Sequence, residues 1–255
     1  MSQLTEKDFL KIKNEIQSGR LSPDSVRFGL GVFTFVSGIM VIVAYMVANA
    51  SNSVIGWENL SVFWQTIFKL QVVLFLFQLV LIFLVRGKSN WAQILLNISY
   101  VFYTYKMVLD PFITMSMFAK DRGEYETFAP IILLILIVGV IFHFYLISRS
   151  FKRKKEEKKN KKSGEKEKGG SSFSYAFIAI LFLLVSITGY VIKNDLLGEY
   201  DILFGMGIFT ILYIAVMIGA VEFVLAVYCV VRFPSFRVNP PSPNPSSPRK
   251  KIRTK

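Results

Sequence analysis

A chain of 255 residues that is 53% hydrophobic and 15% aromatic, with mean hydropathy +0.48, is too apolar for a soluble domain. Its formal charge of +13 rests on 30 Lys and Arg, most of which lie between apolar blocks, so the charge is not a nucleic-acid footprint. A single cysteine, Cys229, excludes an intrachain disulfide framework, and a single histidine excludes a histidine-rich metal centre.

The N-terminal stretch "LTEKDFLKIKNEIQSGRLSPD" opens with Thr5 and Asp8 at capping spacing. Phe9, Ile12 and Ile16 then share one helical face, with Lys7, Lys11 and Lys13 nearby. That pattern predicts a short amphipathic helix lying on the inner membrane surface. Gly19 should end it, and Ser22 should cap a new helix with Pro23 at its first position.

Six long apolar runs follow, Arg27–Asn49, Val62–Val85, Trp91–Phe118, Phe128–Ser148, Phe173–Ile192 and Leu203–Val231. Runs of this length read as membrane-spanning helices, because a helix satisfies its own backbone polar groups when lipid surrounds it. The third and sixth, at about 28 residues and 1.5 Å per residue, reach about 42 Å, so they should tilt, kink or extend past the surface. A long polar segment precedes the first run, which is itself longer than a signal-peptide core, so it reads as a retained anchor.

Twenty-five of the 30 basic residues fall in residues 1–27, 86–90, 149–171 and 232–255. The positive-inside rule puts these segments, and both termini, in the cytoplasm. The expected fold is therefore an all-α polytopic membrane protein of six helices in three in–out–in hairpins. Residues 1–26 form a cytoplasmic amphipathic segment, 27–148 hold helices one to four, and 149–171 a basic disordered loop. Residues 172–231 hold helices five and six, and 232–255 are a Pro-rich basic tail. The basic loop and tail are low-complexity and cannot form a core.

The three outer turns read "GWENLSVF" from Gly56, "GEYETF" from Gly123 and "GEYDILF" from Gly198. The second and third are alike and the first is looser; in those two, glycine breaks one helix, acids suit the start of the next, and Tyr125 and Tyr200 sit at interface depth. Aligned on these turns, Gln78, His143 and Glu222 fall at similar depth on the three returning helices, which suggests a threefold hairpin repeat.

Charged side chains within apolar runs are costly and mark functional positions. Lys106 and Asp110 share a helix face at i, i+4, and Pro111 follows directly. Pro111 removes a backbone donor and should kink the helix, which would free carbonyls beside Asp110, a combination suited to an ion or proton site. Glu222, mid-helix in "MIGAVEFVLAV", is a third member of the expected charge network, and Tyr103 can place its ring against Lys106. His143 lies near the inner boundary and reads as a hydrogen-bonded interfacial residue. Lys69 can snorkel outward.

No HExxH, CxxC, GxSxG or Walker-type string is present, and no nucleophile–base pair is spelled. The expectation is a non-enzymatic membrane protein without cofactor or metal, located in the plasma (cell inner) membrane. It is read as a small transporter or a permease or channel subunit with a mid-membrane charged site. The alternative is a membrane subunit or regulator that binds another membrane protein, with anionic lipids at the inner surface and no nucleic acid.

Overall fold

Helix starts and stops follow the local chemistry closely. The computed structural model describes residues 4–49, 56–85, 89–160, 183, 187, 190, 191 and 200–238. A 3-10 turn at Glu6–Phe9 leads into α1, Leu10–Ser18. Thr5 and Asp8 form the expected capping box, with the Thr5 N–H donating to Asp8 Oδ2 at 2.7 Å. Gly19 ends α1, and α2, Pro23–Asn49, begins at the predicted proline. The remaining helices are α3, Gly56–Asn59; α4, Val62–Leu84; α5, Asn90–Asp121; α6, Tyr125–Asn160; and α7, Asp201–Arg232. A 3-10 turn at Pro234–Phe236 follows.

Gly123 separates α5 from α6 as read, with φ of +74°, a left-handed backbone that other residues adopt only with strain; Gly56, with φ of +54°, opens α3. Gly198 lies outside the described residues.

Every element among the described residues is helical. Among the described residues, four helical stretches are long and apolar enough to cross a membrane: α2, α4, residues Tyr125–Lys154 of α6, and α7. That makes the chain a membrane protein. The expected third span, Trp91–Phe118, falls inside α5, which is 32 residues long but too polar to count among the four. The expected fifth span, Phe173–Ile192, lies outside the described residues apart from Leu183, Ile187, Tyr190 and Val191. The fourth span does not stop at Ser148; α6 continues through the start of the basic stretch to Asn160.

α5 is the hub, packed against α2, α6 and α7, while α4 lies on α2. The most extensive contacts, α2 with α5 and α5 with α7, join helices from different predicted hairpins. At one end, here called basal, Phe9, Ile16 and Leu21 are buried against Leu225, Val230 and Phe236. At the opposite, distal end, Ala48, Leu60, Trp64 and Met117 form a second cluster. The chain therefore rises in α2, descends in α4, rises in α5 and descends in α6.

α7 also descends, parallel to α6. The Tyr213 hydroxyl donates to the Leu136 carbonyl at 2.9 Å, His143 meets the Met217 carbonyl, and Phe151 packs on Tyr228, so contacts advance together along both helices. Gly139 permits this approach: a Cβ there would collide with the Tyr213 ring.

The amphipathic N-terminal helix forms as expected, but its apolar face is spent on the protein itself. Phe9 and Ile16 are 1% and 0% exposed, covered by α7 and the 3-10 turn at Pro234–Phe236. Periodicity reports that one face is apolar; it does not report what covers it. Polar contacts finish the dock. Glu6 accepts from the Ser235 hydroxyl at 2.5 Å and from Lys13 at 3.0 Å, and Gln17 donates to the Ser235 carbonyl at 3.3 Å.

Two predictions follow from this packing. Gly139→Ala should displace Tyr213, break its bond to Leu136 and destabilise the bundle by about 1–3 kcal/mol, read by SDS or thermal unfolding in detergent. The dock should also weaken in acid. The Ser235 hydrogen bond, then the Lys13 contact, hold the Glu6 carboxyl below its ordinary 4.5. Its contribution is thus fully present above pH 4.5 and is lost as pH falls through the lowered value. The hydrogen-exchange protection factors across residues 6–18, with the intrinsic slowing of exchange in acid divided out, should fall over that window, and Glu6→Gln should remove this component.

Candidate functional site

One face of α5 carries Ser99, Tyr103, Lys106, Asp110 and Thr114, spaced by three or four residues, and all five are buried. A helix with this face cannot turn it to hydrocarbon, so it turns it to α2 and α4. The Tyr103 hydroxyl donates to the Leu74 carbonyl of α4 at 2.9 Å. The Thr114 hydroxyl reaches the Met40 carbonyl of α2 at 3.2 Å.

Between these two lies a closed polar ring. Lys106 Nζ donates to Asp110 Oδ2 at 2.9 Å and Oδ1 at 3.1 Å. It also donates to Ser37 Oγ of α2, whose own hydroxyl donates to Asp110 Oδ2, both at 2.5 Å. Ser37 is thus acceptor and donor at once, completing a three-membered circuit. Gln71 of α4 borders the same gap as Asp110, with its Oε1 buried and without a partner. The Lys106 and Asp110 side chains are 5% and 1% exposed. The gap bordered by Gln71, Asp110, Met40 and Phe68 is too tight for a water molecule. The pair is therefore dry and closed.

α5 runs unbroken through Pro111. Proline has no N–H to give the Met107 carbonyl, so the backbone hydrogen-bond ladder loses a rung one turn before the ring's carboxylate. The ring thus sits where the helix is intrinsically weakest.

Of the other residues singled out by sequence, Glu222 does not join this ring. Its side chain is 51% exposed and pairs with Arg20, just after α1. Glu222 is mid-helix only in sequence; α7 continues beneath the N-terminal segment, which places that carboxylate toward the basal end. Gln78 and His143 do perform equivalent tasks. Gln78 Nε2 donates to the Leu30 carbonyl at 3.2 Å, and His143 Nδ1 lies 2.9 Å from the Met217 carbonyl. Since a carbonyl only accepts, Nδ1 carries the proton, and the Tyr105 hydroxyl lies 2.6 Å from Nε2. His143 thus links α6 to both α5 and α7. Lys69 is exposed on α4. Tyr103 has its hydroxyl on Leu74; the cations over aromatic rings are instead Lys13, 5.5 Å from the Phe236 centroid, and Lys120, 3.8 Å from the Tyr125 centroid and 5.8 Å from that of Trp64.

Sequence reasoning missed Ser37 and Gln71. Each is a lone polar residue in an apolar run, and that isolation was the available signal. It also missed Arg122, whose guanidinium meets the fully buried Asp201 carboxylate at 3.0 Å and ties the end of α5 to the start of α7. Comparison with known proteins gives no match to a family model, to a curated protein or to a solved structure.

Removing one partner of a buried pair strands the other charge, whereas replacing both with apolar groups does not. Lys106→Met and Asp110→Leu should each destabilise by about 3–5 kcal/mol, and the double variant should recover most of that loss. SDS unfolding of the four proteins in detergent gives the coupling; purely additive losses would contradict the ring.

Proposed function

We propose that this protein is a small transporter, or a permease or channel subunit, whose charged site is the Lys106–Asp110–Ser37 ring in its closed state. The observation that carries this reading is a full ion pair held dry at mid-bundle, shared by α2, α4 and α5, beside a proline that weakens α5. A buried charge pair gives little net stability for its desolvation, so it is a poor device for holding helices together. It is an apt one for a site that opens and exchanges charge.

The same reading takes six crossings. α6 and α7 run parallel, so the segment between them has to return from the basal to the distal end, and the apolar run Phe173–Ile192 can supply that crossing. Among the described residues, Lys7, Lys11, Lys13, Arg20, Arg149 and Arg237 lie toward the basal end, which supports a cytoplasmic basal face; both termini inside and a plasma-membrane location complete the same reading. The chemistry is carriage, without a cofactor or bond-breaking step.

The second reading is a membrane subunit that holds a partner protein. The tightness of the gap beside Asp110 favours it. Proteoliposomes separate the two. Under imposed proton, sodium or potassium gradients, the wild type should carry a flux that Asp110→Asn reduces at least tenfold and Ser37→Ala lowers, with insertion unchanged. Equal flux in wild type and Asp110→Asn would overturn the transport reading. Loss of a co-purifying membrane protein from the variant, without any flux change, would establish the second.

A further inference from the structure

We propose that the lateral groove between α4 and α6 is a site for an anionic phospholipid, with its headgroup on Lys120 and one acyl chain along the groove. This inference is independent of what the protein carries. The groove encloses about 460 Å³ and is floored by Phe112 and Ile113 of α5, with Trp64 and Ile67 on one wall and Tyr125 and Leu133 on the other. Its lining runs on α6 from Tyr125 to Leu136. At 1.5 Å per residue that is about 16 Å, close to half of a ~30 Å hydrocarbon core and so to one leaflet.

The mouth of the groove carries the charge. Trp64 and Tyr125, which line it, are the same rings that hold the Lys120 ammonium by cation–π contact. Lys120 has no carboxylate partner among the described residues, whereas Arg122, two residues on, is paired with Asp201. A cation held over two rings keeps N–H donors directed away from them, available to a phosphate oxygen. Trp and Tyr are also the side chains that settle at headgroup depth. Acyl-sized apolar groove, interfacial aromatics and an unpaired ammonium together specify a phospholipid with net negative charge.

The test uses full-length protein with Trp64 as the sole tryptophan (Trp57→Phe, Trp91→Phe), reconstituted with acyl-brominated phosphatidylglycerol or phosphatidylcholine. Bromine quenches a tryptophan in contact with the chain. Trp64 should be quenched by the anionic lipid with about fivefold preference, the worth of one basic residue near a membrane surface. Lys120→Gln should abolish the preference, while Lys120→Arg and Lys11→Gln, at the opposite end of the bundle, should keep it. Equal quenching by both lipids in the parent, meaning ordinary surrounding lipid only, overturns the proposal. So does a preference that survives Lys120→Gln. Absence of quenching by either lipid, with the protein running as a dimer, overturns it in favour of a second copy in the groove.

Discussion

A helix bearing Lys106 and Asp110 cannot face hydrocarbon, and the arrangement of the bundle follows from that constraint. Each bare charge at membrane depth costs about 2.5–3.5 kcal/mol on insertion scales. α5 escapes the cost by being covered. α2 supplies Ser37, which accepts from the ammonium and donates to the carboxylate, and Phe68 and Gln71 of α4 close the gap beside Asp110. Only a narrow strip of α5, including Leu95, Ile98, Phe102 and Leu109, remains exposed, and it is apolar. The surrounding helices then take the contact with lipid. α4 exposes Leu70, Val73, Phe77 and Leu84, and α6 exposes Leu134, Val138, Ile141 and Phe144.

Polar contacts of another kind fasten the helices to one another. Gln78, Tyr103, Thr114, His143 and Tyr213 each bond a backbone carbonyl on a neighbouring helix. Such carbonyls already accept within their own helix and have a second lone pair to offer, so the bonds add register without disrupting the ladder. The ends are closed differently. The basal end is stopped by the N-terminal segment, which Arg20 joins to Glu222 and Ser235 joins to Glu6. The distal end is tied by Arg122 and Asp201, beneath the turn that Gly123 makes possible. A membrane bundle that gains little from the hydrophobic effect between helices depends on such bonds for its specificity.

What could be read from the sequence was local. Thr5 and Asp8, Pro23, Gly56 and Gly123 announce their caps and turns because the chemistry lies within a few residues. The Lys106–Asp110 pair was legible for the same reason, being one helical turn apart. Partners across the fold were not. Ser37 precedes Lys106 by 69 residues and Arg20 precedes Glu222 by 202, and no periodicity encodes which chains of polar groups will meet. Run length alone ranked α5 with the other spans, although α5 is too polar to count among the four membrane-capable helices, and its polar face makes it the hub. The amphipathic N-terminal face was recognised as apolar and assigned to lipid; its actual cover, the end of α7, lies some 210 residues away in the chain.

The enclosure of α5 is tested most directly by scanning nitroxide labels through residues 95–114 of the reconstituted protein, with Cys229→Ala to remove the native thiol, and measuring collision with membrane-dissolved oxygen. Oxygen accessibility should oscillate with the helical period, with maxima at 95, 98, 102 and 109 and minima at 99, 103, 106, 110 and 114. A maximum at 106 or 110, or a flat profile, would contradict a central α5 whose charges are answered by α2 and α4.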